Sequence, residues 1–194
     1  DHDSLELWDP RTGAWSAAGR FPVPLTEQTA VALQDGRVAF VGGHARRRVP
    51  RRMAGGHWSI RYATWKFGGA LLWDPATERV TDINAAPRRD SVGALVLQDG
   101  RVLALGGLPE GDEPAPLDLL QALDPRTNGF VTVGKLRVPR ASPLAVQLAD
   151  GSVLVAGGES RSLDGWRRSG LPIETWASAA PAPALAPVRE VLAG

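Results

Sequence analysis

The sequence predicts an all-β protein made of four-stranded antiparallel sheets. Three observations carry that prediction. One two-part pattern recurs three times along the chain. Each copy holds two turn signals, both flanked by β-forming residues. Gly 22 and Pro 16 in 194 residues give a composition suited to short strands and many turns.

The first part of the pattern is an apolar stretch ending in Asp-Pro-x-Thr. Its copies are Leu7-Trp8-Asp9-Pro10-Arg11-Thr12, Leu72-Trp73-Asp74-Pro75-Ala76-Thr77 and Ala122-Leu123-Asp124-Pro125-Arg126-Thr127. A large apolar residue follows each Asp by six positions: Trp15, Val80 and Phe130. The Asp carboxylate can accept backbone N–H bonds while Pro fixes the next φ, so each string is a turn between two strands. The strands expected around the first copy run from Leu5 to Trp8 and from Ala14 to Ala18.

The second part is an apolar run, then Asp-Gly, then an apolar run ending in Gly-Gly. The Asp-Gly pairs are Asp35-Gly36, Asp99-Gly100 and Asp150-Gly151, and the Gly-Gly pairs are Gly42-Gly43, Gly106-Gly107 and Gly157-Gly158. The first glycine of each pair lies seven residues after its Asp. Asp-Gly suits the positive φ angles of a type I′ turn, so tight hairpins are expected. The Gly-Gly pair ends a buried strand where no side chain fits, as crowding near a central axis would require. Recurrence in every copy gives these residues a structural role. Two hairpins per unit build one four-stranded sheet. The Asp-Gly sites are 64 and then 51 residues apart, so the segment after Gly-Gly is the part that varies.

This unit resembles the kelch repeat of β-propellers in its bacterial, galactose-oxidase-like form. The resemblance rests on the strings Asp35 to Gly43, Asp99 to Gly107 and Asp150 to Gly158. The Asp-Pro-x-Thr strings support it, as do Pro87-Arg88-Arg89 and Pro139-Arg140. Two positions depart from it: Val80 stands where an aromatic is usual, and Leu25 where the other copies have Arg89 and Arg140. The resemblance implies a partial kelch-type propeller of four-stranded antiparallel blades. The units fall at about 5–43, 70–107 and 119–158, with a partial unit at 171–194. The inserted loops fall at 44–69, 108–118 and 159–170, and 1–194 reads as one segment. The chain begins with two outer strands, supplies two full blades, and adds inner strands of another. Ile173 to Trp176 reads as a last outer strand, and Val188 to Leu192 as a short helix or a loose tail.

At about 50 residues per repeat the chain holds roughly four blades, and propellers have about 4 to 8. The chain opens at Asp1 with no initiator Met, which reads as a processed or excised piece. Three modes of closure stay open: a fragment completed by further blades, a self-associating half-propeller, and a small irregular propeller.

The insert after the first Gly-Gly carries Arg46, Arg47, Arg48, Arg51, Arg52, Arg61 and Lys66 with no acidic residue from His44 to Leu72. Trp58, Tyr62 and Trp65 are interleaved, and the alternation from Trp58 to Trp65 reads as a strand with mixed faces. Arginine forks beside aromatic rings suit a protein partner or an anionic ligand. The alternative is a solvated loop whose aromatics cap the propeller face. The third insert extends this basic and aromatic set with Trp166, Arg167 and Arg168. The second insert, with Glu110, Asp112, Glu113 and Asp118, reads as a solvated acidic loop on the same face, able to pair with the basic one. It lacks the spacing of a calcium loop.

Net charge is +1, so bulk electrostatics selects no partner and nucleic acid is not expected. The absence of cysteine excludes disulfides and thiolate chemistry. No apolar run reaches the roughly 20 residues that span a bilayer. His2, His44 and His57 lack metal-site spacing, and no serine sits in a nucleophile elbow, so no metal, cofactor or catalytic residue is expected. Galactose-oxidase-like copper chemistry needs a Cys–Tyr crosslink, and this chain has Tyr62 alone and no cysteine. The expected function is non-enzymatic: a module that binds a protein partner, further blades or itself through its inter-strand loops. The alternatives are recognition of a carbohydrate or other anionic ligand, and a share in a larger propeller enzyme. The resemblance also implies an extracytoplasmic location.

Overall fold

The computed structural model describes residues 3–111, 113–162, 165–167 and 170–177. Among these, every regular element is a strand. The first part of the chain supplies β1 (Ser4–Asp9), β2 (Ala14–Arg20), β3 (Leu25–Thr26), β4 (Thr29–Ala32), β5 (Val38–Val41), β6 (His44–Arg52) and β7 (Trp58–Lys66). The middle supplies β8 (Gly68–Asp74), β9 (Arg79–Asp90), β10 (Gly93–Val96), β11 (Val102–Leu105), β12 (Leu108–Pro109), β13 (Leu119–Asp124) and β14 (Gly129–Lys135). The last part supplies β15 (Leu144–Gln147), β16 (Val153–Ala156), β17 (Ser160–Ser162), β18 (Gly165–Arg167) and β19 (Glu174–Trp176).

The Asp-Pro turns form as their chemistry requires. Asp9, Asp74 and Asp124 each accept the N–H two residues on, at 2.8, 2.8 and 2.9 Å. The fourth residue after each Asp takes a positive φ: Gly13, Glu78 and Asn128. The large apolar residue then faces the one before the Asp, pairing Trp8 with Trp15, Trp73 with Val80 and Leu123 with Phe130.

The Asp-Gly hairpins form, but the type I′ expectation is corrected. Only the glycine of each pair has positive φ, and a type I′ turn needs it at both central residues. The Gly36 N–H donates to the Leu33 carbonyl, and the Leu33 N–H to the Arg37 carbonyl. The loop therefore has three residues, with glycine as the bulge. Asp35, Asp99 and Asp150 sit one position earlier and accept the N–H of Arg37, Arg101 and Ser152. This carboxylate fixes the turn while glycine supplies the φ.

Hairpins join into antiparallel sheets in the order the repeat predicts. β1 and β2 form the first sheet. The second has the order β4-β5-β8-β9, with β12 added beyond β9. The third is β10-β11-β13-β14 and the fourth β15-β16-β19. The predicted outer strand at Ile173 to Trp176 is β19, paired with β16. The suggested helix at Val188 to Leu192 lies outside the described residues.

The sheets stack face to face through three apolar layers. Phe21, Leu25, Phe67 and Leu71 fill the layer at the first and second sheets. Ala39, Val41, Leu72, Val102 and Leu123 fill the next. Leu95, Leu103, Leu105, Leu120, Val153 and Val155 join the third sheet to the fourth. β11 is buried along its whole length. Its alternate side chains enter opposite layers, as period-2 geometry demands.

The Gly-Gly pairs have a more local cause than an axis. A Cβ on Gly43, Gly107 or Gly158 would stand 2.8, 2.8 or 2.5 Å from the carbonyl oxygen of Thr26, Asp90 or Ala141. Each of those residues precedes its own Asp-Gly site by nine positions, so the chain entering a unit crowds the chain leaving it.

The insert at 44–69 is not a loop. β6 and β7 form a ribbon of nine residue pairs. Its turn repeats the three-residue closure, with the Gly56 N–H on the Met53 carbonyl and the Met53 N–H on the His57 carbonyl. β3 extends the ribbon at its base through the pairs Leu25–Ala45 and Thr26–His44. The insert at 159–170 also contains a hairpin, β17–β18. In the segment 108–118, Leu108–Pro109 forms β12.

Candidate functional site

The β6–β7 ribbon carries most of the basic and aromatic residues singled out in the sequence. Arg48, Arg51, Arg52, Trp58 and Arg61 are exposed, and Trp58 is 70% exposed. Arg46, Arg47 and Tyr62 take their places in the ladder opposite Thr64, Ala63 and Arg48. Trp65 does not belong to this exposed set. It packs at the ribbon's base in the apolar layer with Phe21, Phe67 and Leu71, so it anchors the ribbon. Trp166 and Arg167 are exposed on β18, and Arg168 lies outside the described residues.

The three inserts meet in sequence. A cavity of about 270 Å³ is lined by His44, Thr64, Trp65 and Lys66 from the ribbon, by Asp90, and by Glu110 and Gly111 from the second insert. Glu113 of the second insert pairs with Arg161 of the third at 2.9 Å. Glu110 stands 3.8 Å from Arg88. Asp112 lies outside the described residues.

Asp9, Asp35, Asp124 and Asp150, all turn aspartates, have depressed pKa values. The side chains of Arg37 and Arg126 lower Asp35 and Asp124, the Ser152 hydroxyl lowers Asp150, and the Arg11 N–H lowers Asp9. Such shifts occur at active sites too, but these are explained by the hydrogen bonds of the turns.

Two buried arginines tie neighbouring strands together. Arg89 donates to the Gly106 carbonyl and to Gln121 Oε1, both at 2.8 Å. Arg140 donates to the Gly157 carbonyl at 3.0 Å and pairs with Glu174. Burial pushes Arg89 down to about 10. Leu25 occupies the corresponding place in the first copy and packs in the apolar layer instead.

A second concavity, about 430 Å³, is lined by residues 27–29, 91–94 and 142–145. These are matching stretches of the three copies. Glu27, Ser91 and Ser142 each precede an Asp-Gly site by eight positions, and they have φ of 59°, 53° and 49°. The left-handed backbone belongs to the repeat, whereas the side chain differs in each copy.

Glu27 of the second concavity and His44 and Asp90 of the first have ligand-type atoms all within 4.8 Å of one another. His44 Nδ1 lies 3.5 Å from Asp90 Oδ2 and 3.9 Å from Glu27 Oε2. His44 Nε2 shares a hydrogen bond with Thr26 Oγ1 at 2.9 Å, while Nδ1 is buried with no hydrogen-bond partner. Lys66 Nζ donates to Asp90 Oδ1 at 2.9 Å and to the Leu108 carbonyl at 3.1 Å. Histidine spacing does not reveal this trio, because its members come from the entry to β4, the start of β6 and the end of β9. A signal was present. In the copy that follows, the matching positions hold Ser91, Leu108 and Ala141.

No family model matches the chain, and no curated protein does. Among solved structures, it is similar to the one titled "Structure of YjhT", with a TM-score of 0.57 and 17% identity. The match covers 81% of this chain and 45% of that one, so the chain spans less than half the length of this structural neighbour. The likeness is one of fold. No described helix is long and apolar enough to cross a membrane.

Proposed function

We propose that the chain is a non-enzymatic protein-binding and assembly segment of a kelch-type propeller, whose fourth sheet accepts a further sheet of the same kind. One observation carries the proposal: matching residues of the three copies differ in burial according to whether another sheet follows among the described residues. Leu33 and Leu97 are 6% and 2% exposed, covered by the sheet that follows, whereas Leu148 is 37% exposed. Val146, the counterpart of the buried Leu95, is open as well, and Leu144 beside it is 73% exposed. Apolar residues gathered on an uncovered sheet face mark an interaction surface. The glycines agree. A Cβ at Gly42 or Gly106 would strike the next unit, and at Gly157 it would meet nothing within 4 Å.

A second copy of the chain fills this face when no other sheet does. Sedimentation at rising protein concentration should therefore give an increasing mass, and Val146→Arg should abolish the increase. A chain that stays monomeric, or associates equally well with Val146→Arg, would count against the proposal.

A second reading, recognition of a sulfated or carboxylated glycan, is favoured by Arg48, Arg51, Arg52 and Arg61 standing exposed with Trp58 on one ribbon. Its test is calorimetry with heparin. Salt-sensitive binding that Trp58→Ala weakens would support it, and no binding would dismiss it.

A further inference from the structure

We propose that Glu27, His44 and Asp90 form a binding site for a divalent transition-metal cation such as Zn²⁺. Two donors around one metal, each about 2.1 Å from it in a tetrahedral shell, stand about 3.4 Å apart. His44 Nδ1 lies 3.5 Å from Asp90 Oδ2 and 3.9 Å from Glu27 Oε2, close to that edge length.

The electrostatics point the same way. Nδ1 is buried without a hydrogen-bond partner and faces two carboxylate oxygens. In the tautomer whose Nε2 hydrogen serves Thr26, the Nδ1 lone pair faces those oxygens, and a cation converts that repulsion into shared coordination. The two carboxylates outnumber the one Lys66 ammonium in the cluster. The Lys66 ammonium sits on Asp90 Oδ1, and Oδ2 is the oxygen turned to the histidine. Thr26 holds Nε2 at 2.9 Å and the Ser91 hydroxyl donates to Glu27 Oε2 at 3.2 Å. Such outer contacts orient ligands in metal sites. The mixed set of one imidazole and two carboxylates suits Zn²⁺ or Mn²⁺. Three protein ligands leave a position for water or a small ligand, and His44 and Asp90 line the 270 Å³ cavity.

Repeat logic separates this cluster from the scaffold. The three backbone positions recur at the next junction, where Ser91, Leu108 and Ala141 occupy them. Thr26 pairs with His44, Asp90 with Leu108 and Ala141 with Glu159, so the geometry is common to all copies. Of these two junctions, only the first carries metal-ligating side chains at all three places.

The test is calorimetric titration of the whole chain with Zn²⁺, with Co²⁺ absorption as an independent report on coordination. The expected result is one ion per chain, with affinity lowered about tenfold or more in both Glu27→Gln and His44→Ala. His57→Ala, which removes an exposed histidine in the ribbon's turn, should leave affinity unchanged. The Glu27 side chain is half exposed, so Glu27→Gln keeps the fold and the test stands even if His44→Ala unfolds. Absence of one-to-one binding up to about 1 mM Zn²⁺, or equal affinity in Glu27→Gln, would overturn the proposal.

Discussion

The third and fourth sheets come from the same repeat and meet different surroundings. In the third, β11 is sealed between two apolar layers. In the fourth, β16 buries Val153 and Val155 against the third sheet, while neighbouring β15 leaves Leu144 and Val146 open. The apolar pattern of a repeat therefore states what each unit is prepared to bury. Only the presence of the next unit decides whether it does so. The metal-ligating trio adds a second contrast, because a junction that repeats in backbone does not repeat in side-chain chemistry.

Four paired tests would break or sharpen this comparison. Arg140 stands at the entry to the fourth sheet, fully buried on Glu174. Arg140→Met leaves that carboxylate buried without its cation and should cost about 3–5 kcal/mol in urea unfolding. Arg89 ends on the neutral Gln121, so Arg89→Met should cost less, about 1–3 kcal/mol. Equal losses would remove the distinction between the two junctions. In the apolar layers, Leu103→Ala should cost about 2–5 kcal/mol and Leu144→Ala less than about 0.5 kcal/mol. A large effect at Leu144 would mean that its face is already covered.

The glycines give a narrower contrast. A Cβ on Gly106 would lie 2.1 Å from the Arg140 carbonyl, whereas one on Gly157 would meet open space. Both have positive φ, so Ala at either position carries the left-handed penalty of about 1–2 kcal/mol. Gly106→Ala should cost about 1–3 kcal/mol more than Gly157→Ala, by thermal or urea unfolding.

The smallest effect concerns acid. Asp9, Asp35, Asp124 and Asp150 have folded pKa values below the ordinary aspartate value of 3.8. Their stabilisation is present above that value and is lost as pH falls through the lower folded values. Unfolding at pH 5 and pH 3 should show this loss, and Asp35→Asn should reduce it. A loss unchanged by the substitution would place the acid sensitivity elsewhere.

Much of this architecture was legible because its causes are local. An Asp side chain that caps its own turn, and a glycine that supplies positive φ, announce themselves within a few residues. The hairpins at Asp35, Asp99 and Asp150 followed from that, and the strand at Glu174 from its echo of earlier copies. The turn type was harder, because Asp-Gly serves both a two-residue loop and the second and third places of a three-residue one. In the β6–β7 ribbon the alternation from Trp58 to Trp65 announced β7, whereas β6 was hidden by its arginines and by Pro50, although Gly55-Gly56 between them was a turn signal of the same kind. Glu27, His44 and Asp90 were illegible as a set, since spacing rules search one segment and these residues converge from three. Comparing matching positions between copies exposes them, because the scaffold repeats and they do not.

The most direct test of the account is thiol labelling of Val146→Cys in a chain that has no other cysteine. Labelling should be fast in dilute protein and slow as concentration rises and the sedimenting mass increases, with Val49→Cys on the ribbon remaining reactive throughout. A Val146→Cys thiol that stays equally reactive at every concentration, in a chain that stays monomeric, would contradict the claim that the fourth sheet is built to be covered.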